Sequence, residues 1–370
     1  MAGYPQRILL TGDTVGGVWT FVTELSASLV RQGVQVQLAT FGPAVTESQR
    51  ARVGSIKGLN WEHRIAKLEW MNDPWAEVDA GGAWLERLAG KFKADVVHLN
   101  TLAYGDRDLS APIVQTAHSC VLSWWANVKK TKLPQEWNQY RDRVEASLQC
   151  AELLTAPSAA ALAEIASYYK IETGNAVSIH NGVDLSEFQP LSSEPFIFSA
   201  CRLWDEAKNL VALAEVAPKL RWPVYLAGSA ISPTGGTTAF QSCRLLGELG
   251  RDELRTWYGR ASIYVLPAKY EPFGLSVLEA ALSGCALVLG DLPSLREIWG
   301  DAAIFVNPGD RNGLRREIDR LIRDRRYRNV MVKRALSRAT EFSIDRMAAS
   351  YLSVYNSVVK MSRRSYACAS

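Results

Sequence analysis

Short apolar runs alternate with helix-length amphipathic stretches along this 370-residue chain, and the alternation runs its course twice. RILLTGD at 7–13 is followed by the glycine-bearing TVGG, by a helical pattern ending near Gly33, and by the apolar QVQLAT. That succession is a βαβ unit, because parallel strands cannot be joined by a hairpin and need a crossover of this length. ADVVHLN (94–100), PIVQTAH (112–118) and ELLTAPS (152–158) continue it with runs that do not alternate polar and apolar residues, the mark of strands covered on both faces. At HNGVDLSEFQPLSSEP (180–195) turn residues and two prolines interrupt the pattern. It resumes with PFIFSAC, NLVALAEVAPKL, PVYLAG, RDELRTWYGRA, SIYVLP, GLSVLEAALSG, ALVLGD and AIFVNP. The expected class is α/β, with two doubly wound domains over 1–185 and 186–343. An amphipathic terminal segment, 344–370, follows with no further strand, free to pack across both. A chain of this length exceeds what one hydrophobic core organises, which agrees with two domains.

Composition excludes several classes. Hydrophobic residues at 48% and charged residues at 22% leave little room for long disorder. A net charge of +4 is too small to argue for a nucleic-acid partner. The basic residues instead concentrate between Arg311 and Arg338, where eleven face three acidic ones. That is a solvated helical face, with contact to an anionic membrane as the alternative. Six dispersed cysteines show no metal-type spacing and point to a reducing compartment. The N-terminal MAGYPQRILLTGD reads as a first strand and not as a signal peptide, and no run reaches the length of a spanning helix. The expected location is cytoplasmic, with room for peripheral contact at the inner face of a membrane.

In doubly wound sheets ligands bind outside the carboxyl ends of the strands, so residues at those ends are the candidates. Gly16 and Gly17 lie between the first strand and the first helix, where glycine lets a ligand approach the backbone and free N–H groups suit an anion. The spacing is not G-x-G-x-x-G, so a dinucleotide fingerprint is absent. His118 ends PIVQTAH and is followed closely by Trp124 and Trp125, two aromatic faces suited to a sugar ring. Arg202 closes the first strand of the second half, and Lys208 stands just before a helix. Two cations so placed make a diphosphate site. In KYEPFGLSVLEAALSG, Gly274, Leu275 and Ser276 open a helix whose amides suit a phosphate, and either Glu271 or Glu279 can chelate a vicinal diol.

Glu271-Pro-Phe-Gly with Glu279, Arg202 with Lys208 upstream, and Gly16-Gly17 in the first loop together make the chain resemble glycosyltransferase family 4. The resemblance covers nearly the whole chain and is strongest over 196–310. It implies the GT-B architecture, two Rossmann-like domains facing one another across a cleft. It also implies retaining transfer of a hexose from a nucleotide sugar, UDP- or GDP-linked, to a saccharide, lipid or small-molecule hydroxyl, with neither cofactor nor metal. Under it Glu271 contacts the donor sugar and Glu279 the ribose, with Phe273 and Gly274 in the same donor-binding turn. Arg202, Lys208 and the amides of Leu275 and Ser276 neutralise the diphosphate. Gly16 and Gly17 let the first loop approach donor and acceptor, and His118 contacts the sugar in transit. The acceptor side falls to the N-terminal half, which holds eight of the twelve tryptophans, with Trp124 and Trp125 foremost. The same fold also accommodates a phosphorylase or a nucleotide-sugar epimerase. Further alternatives are an NAD-dependent oxidoreductase and a non-catalytic nucleotide-sugar binder.

Overall fold

A computed structural model describes residues 5–232 and 235–369. Two parallel sheets carry the chain. The first contains β1 (Arg7–Asp13), β2 (Gln35–Gly42), β3 (Asn60–Ile65), β4 (Val96–Leu99), β5 (Ile113–Thr116), β6 (Leu153–Ala156) and β7 (Ala176–Ser178), in the order β3-β2-β1-β4-β5-β6-β7. The second contains β8 (Glu194–Ala200), β9 (Val224–Ala227), β10 (Arg244–Gly247), β11 (Ala261–Leu266), β12 (Ala286–Gly290) and β13 (Ile304–Val306), in the order β10-β9-β8-β11-β12-β13. In both, the first strand lies between the second and fourth, so the order reverses beside it. That reversal places the ligand crevice at the carboxyl ends of β1 and β4 in one sheet and of β8 and β11 in the other.

The central strands are apolar because helices cover both faces: Ile8, Leu9 and Leu10 of β1 and Ile263, Tyr264 and Val265 of β11 are fully buried. β3 and β10 are edge strands, where NWEHRI and RLLG are only partly covered, which is why their polarity hides them in the sequence.

The chain divides into two compact units, 1–123 with 131–182 and 344–370, and 124–130 with 183–343. The turn-rich stretch expected to separate the domains after 185 thus parts them at 182/183. The terminal segment, expected to be free to pack across both domains, belongs to the first unit. Its helix, Ile344–Ala369, buries Met347, Tyr351, Leu352 and Val358 against Phe21, Leu25 and Leu29 of the helix Gly17–Arg31. The reason is partly polar. His98 of β4 is fully buried, its Nδ1 is 2.7 Å from the Tyr355 hydroxyl, and its Nε2 is 2.6 Å from Thr116 Oγ1. Thr116 in turn meets Thr155 and the Tyr351 hydroxyl, so the helix supplies partners to polar groups that β4, β5 and β6 place in the interior. Burial, with a smaller contribution from His118, holds His98 well below its ordinary pKa, so the ring is neutral. Replacing Tyr355 by Phe leaves one ring nitrogen of His98 without its partner in a dry site. The expected loss is about 1–3 kcal/mol of stability in urea unfolding, and an unchanged midpoint would show that the network does not hold the helix.

Five thiols, Cys120, Cys150, Cys201, Cys243 and Cys285, are unpaired, and Cys368 lies beyond the described side chains. Among the described residues no helix is long and apolar enough to cross a membrane.

Candidate active site

In the second unit the loops after β8 and β11 meet. β8 ends at Ala200 and runs into Arg202, a single turn Glu206–Lys208, and then the helix Leu210–Val216. Between turn and helix, Asn209 adopts a left-handed conformation (φ 56°), which asparagine tolerates better than most residues. From there its side-chain amide donates to the carbonyls of Pro267, 2.8 Å, and Pro308, 3.0 Å. The Lys269 amide donates back to the Ala207 carbonyl at 2.8 Å. The two loops are therefore fixed to each other through their backbones before any charge is considered.

Across this junction Lys208 Nζ lies 2.7 Å from Glu271 Oε2, with the two side chains 14% and 12% exposed. The Glu271 carbonyl accepts a hydrogen bond from Ser294 at 2.6 Å, which fixes the residue's backbone. Burial alone would lower the Lys208 pKa, but Glu271 and Asp205 outweigh it and raise the value above the ordinary lysine range. Arg202 donates to Asp205 Oδ2 at 2.7 Å. Asp205 is 3% exposed, and burial would raise its pKa; Arg202 and Lys208, with hydrogen bonds from Arg202 and Trp124, hold it instead at about 2. A raised lysine contributes its stability in full below the ordinary lysine pKa and loses it as pH rises through the folded value. A depressed aspartate contributes above its ordinary pKa and loses it as pH falls through about 2. Lys208 and Asp205 are thus both charged throughout the neutral range.

The helix Leu275–Leu282 begins beside them. Gly274 precedes it at φ 88°, a conformation that a side chain would strain, and no side chain caps the first turn. The amides of Leu275 and Ser276 lie where a helix has no internal acceptors, which suits an anion. The Tyr264 hydroxyl is 2.8 Å from Ser276 Oγ and 3.1 Å from the Ala200 carbonyl, linking that turn to the end of β8. Glu279 is half-buried in the same helix beside the Tyr258 hydroxyl, whose pKa is raised well above the ordinary range by burial and then by Glu279. Phe273, expected among the donor contacts, instead points into the core. It is 2% exposed and edge-on to Phe342 at 5.7 Å, because an apolar ring at this turn is covered by the segment that closes the unit.

Trp124 and Trp125, expected to face an acceptor, belong to the second unit, with their rings 6.2 Å apart. The Trp124 edge is committed: Nε1 donates to Asp205 Oδ1 at 3.0 Å, and the ring packs with Val128, Ala207 and Tyr270. That departs from an acceptor role for Trp124.

In the first unit Gly16 precedes the helix Gly17–Arg31 at φ 76° with no side-chain cap, and both glycines are exposed, so the helix start is accessible. His118 lies two residues past β5, edge-on to Phe21 at 4.5 Å. Its Nε2 is 2.8 Å from Asn100 Oδ1, while the Asn100 side-chain amide donates to the Thr11 carbonyl at 3.0 Å. With the amide so oriented Oδ1 is the acceptor, so Nε2 carries the proton and Nδ1 is left as an acceptor. Burial pushes the His118 pKa down to about 3, and the ring works as a neutral hydrogen-bonding group. The sequence reading missed Asp205, Asn209, Tyr258, Tyr264 and Asn100. Asp205, a carboxylate midway between two singled-out cations, is the one whose position in the sequence could have drawn notice.

Two Rossmann-like units with cations and carboxylates at the switch point of the second define a class, the GT-B glycosyltransferases. The family model for Glycosyltransferase Family 4 matches residues 15–187 and that for Glycosyl transferases group 1 matches 194–324. The two models together span most of the chain, which is a glycosyltransferase of the family 4 and group 1 type. It is 24% identical to a D-inositol 3-phosphate glycosyltransferase of Streptosporangium roseum, over 93% of this chain and 89% of that one. A 31% identical match to the O-antigen chain mannosyltransferase B of Escherichia coli spans only 30% of this chain and 29% of the relative. The crystal structure of Anabaena HepE in complex with UDP and glucose superposes with a TM-score of 0.73 at 16% identity, covering 94% of this chain and 99% of that one.

Proposed function

We propose that the chain moves a hexosyl group from a nucleoside-diphosphate sugar to an acceptor hydroxyl with retention at the anomeric carbon. The observation that carries this reading is the Lys208–Glu271 pair, fixed beside Arg202 at the switch point of the second sheet. In the reaction the bond from the anomeric carbon to the diphosphate oxygen breaks, and its electrons leave with the nucleoside diphosphate. Arg202, Lys208 and the amides of Leu275 and Ser276 stabilise that charge in a site whose donors are already in place. The acceptor oxygen bonds to the anomeric carbon on the face the diphosphate leaves, and its proton passes to a diphosphate oxygen. Glu271 orients the sugar through its hydroxyls, and Glu279 takes the ribose diol. In the first unit the Gly16–Gly17 turn is assigned to the approach of donor and acceptor, and neutral His118 to a sugar hydroxyl. UDP- and GDP-linked hexoses are the proposed donor classes; in support, the Anabaena structure is a complex with UDP and glucose, and one relative is named a mannosyltransferase. Incubation with a panel of sugar nucleotides and saccharide or lipid-linked acceptors tests the reading. A glycoside that keeps the donor's anomeric configuration, together with free nucleoside diphosphate, supports it. An inverted glycoside, an epimerised sugar nucleotide, or phosphate-dependent release of a sugar phosphate would overturn it.

Because two side-chain cations serve the leaving group, the rate is expected to be nearly unchanged after dialysis against EDTA. Activity lost there and restored by magnesium or manganese would overturn that assignment. The exposed Arg316, Arg320 and Arg323 of the helix Arg311–Arg323 support a second partner, an anionic membrane surface. Salt-sensitive co-flotation with phosphatidylglycerol vesicles would support it, and flotation equal to that with neutral vesicles would remove it.

A further inference from the structure

We infer that Asp205, itself held by Trp124, is a positioning residue that aims the Arg202 guanidinium at the diphosphate; the inference rests on the donor-site reading above. The two oxygens of Asp205 are used differently. Oδ1 accepts from Trp124 Nε1 and from the Ala207 amide, each at 3.0 Å, which fixes the plane of the carboxylate. Oδ2 accepts from Arg202 Nη2 at 2.7 Å. The carboxylate is 3% exposed whereas Arg202 is 36% exposed, so a buried anchor holds a group that reaches toward solvent.

Such an anchor matters because a free arginine carries about 2 kcal/mol of rotamer entropy, part of which is lost whenever the side chain binds an anion. A guanidinium already bonded along one N–H has lost much of that freedom before the donor arrives. The anchor is itself secured from two directions. The Trp124 ring packs on Val128, Ala207 and Tyr270, with the Lys129 ammonium 5.6 Å from its centroid. Lys129 also pairs at 2.7 Å with Glu206, next to Asp205 in sequence. The bond from the Lys269 amide to Ala207 ties the same turn to the loop that carries Glu271. Trp124 thereby acts on the leaving-group side of the reaction, through Asp205.

Asp205 also caps its own turn through Ala207, so the test has to separate aiming from folding. Asp205→Asn keeps an oxygen for Trp124 and Ala207 and turns an NH2 group toward Arg202, breaking that link; it also removes a negative charge that acts on Lys208, a change that by itself favours an anion and so does not mimic the expected loss. Trp124→Phe keeps most of the ring packing and removes the N–H. Titration of UDP and GDP into the native chain and the variants gives the first readout. Asp205→Asn is expected to weaken the nucleoside diphosphate that the native chain binds by about tenfold, and Trp124→Phe by less. In the Arg202→Ala background, Asp205→Asn should add no further loss, because a residue that acts through Arg202 has nothing left to aim. A purely structural role would instead show the same added loss in both backgrounds, and that result would overturn the inference. Unchanged affinity in Asp205→Asn, with native binding intact, would overturn it as well. Failure of the native chain to bind either nucleoside diphosphate would remove the donor-site reading and this inference with it.

Discussion

Lys208→Ala is expected to slow glycosyl transfer by a factor on the order of a hundred or more, the usual consequence of removing a preorganised charge at a leaving group. Lys208 is nearly buried and bonded to Glu271 at 2.7 Å, so its ammonium costs no reorganisation when the diphosphate departs. The substitution also leaves Glu271 nearly buried without its cation, at the position proposed to hold the sugar. The decline should appear in kcat as charge develops on the leaving group and in donor KM as the diphosphate loses a partner. Thermal unfolding of the variant controls for simple destabilisation. Near-normal turnover in a folded variant would remove Lys208 from the reaction.

Glu271→Gln and Glu279→Gln are expected to differ in kind. Glu271 touches Lys208, the cation proposed to meet the leaving group, and is itself proposed to orient the reacting sugar, so its amide variant should lower kcat by at least tenfold with a smaller change in donor KM. Glu279 lies further along the helix, beside the Tyr258 hydroxyl. A ribose contact changes little between ground and transition states, so Glu279→Gln should raise donor KM and weaken nucleoside-diphosphate binding while sparing kcat. Had both glutamates only decorated the helix, the two variants would show small stability losses and native kinetics. Identical kinetic defects in the two would refute the division of roles.

Residues beside strand ends were the legible part of the site. Arg202, Lys208, Glu271 and Gly274 follow apolar runs directly, so sheet topology alone brings them together once two strands are seen to be neighbours. Asp205 escaped notice because an aspartate before a turn reads as a cap, which it also is. Trp124 was legible as an aromatic residue near His118, but its bond to Asp205 joins positions 81 residues apart, and no local pattern encodes that pairing. Phe273 was assigned by its neighbours in the motif, while its own apolar ring goes to the core as its chemistry dictates. In the fold, the continuous apolar strands were plain, whereas β3 and β10 carry polar residues at exposed edges and gave no strand pattern. The terminal helix could be recognised from its periodicity. Its docking in the first unit could not, since that depends on buried His98, Thr116 and Thr155 meeting two tyrosines.

Arg202 and Lys208 are proposed to bind the diphosphate of the donor. Calorimetric titration of a nucleoside diphosphate and of its parent nucleoside into the native chain and into Lys208→Ala tests that assignment most directly. The native chain is expected to prefer the diphosphate strongly, and the variant to lose most of that preference while binding the nucleoside as before. Equal preference in the two proteins would contradict it.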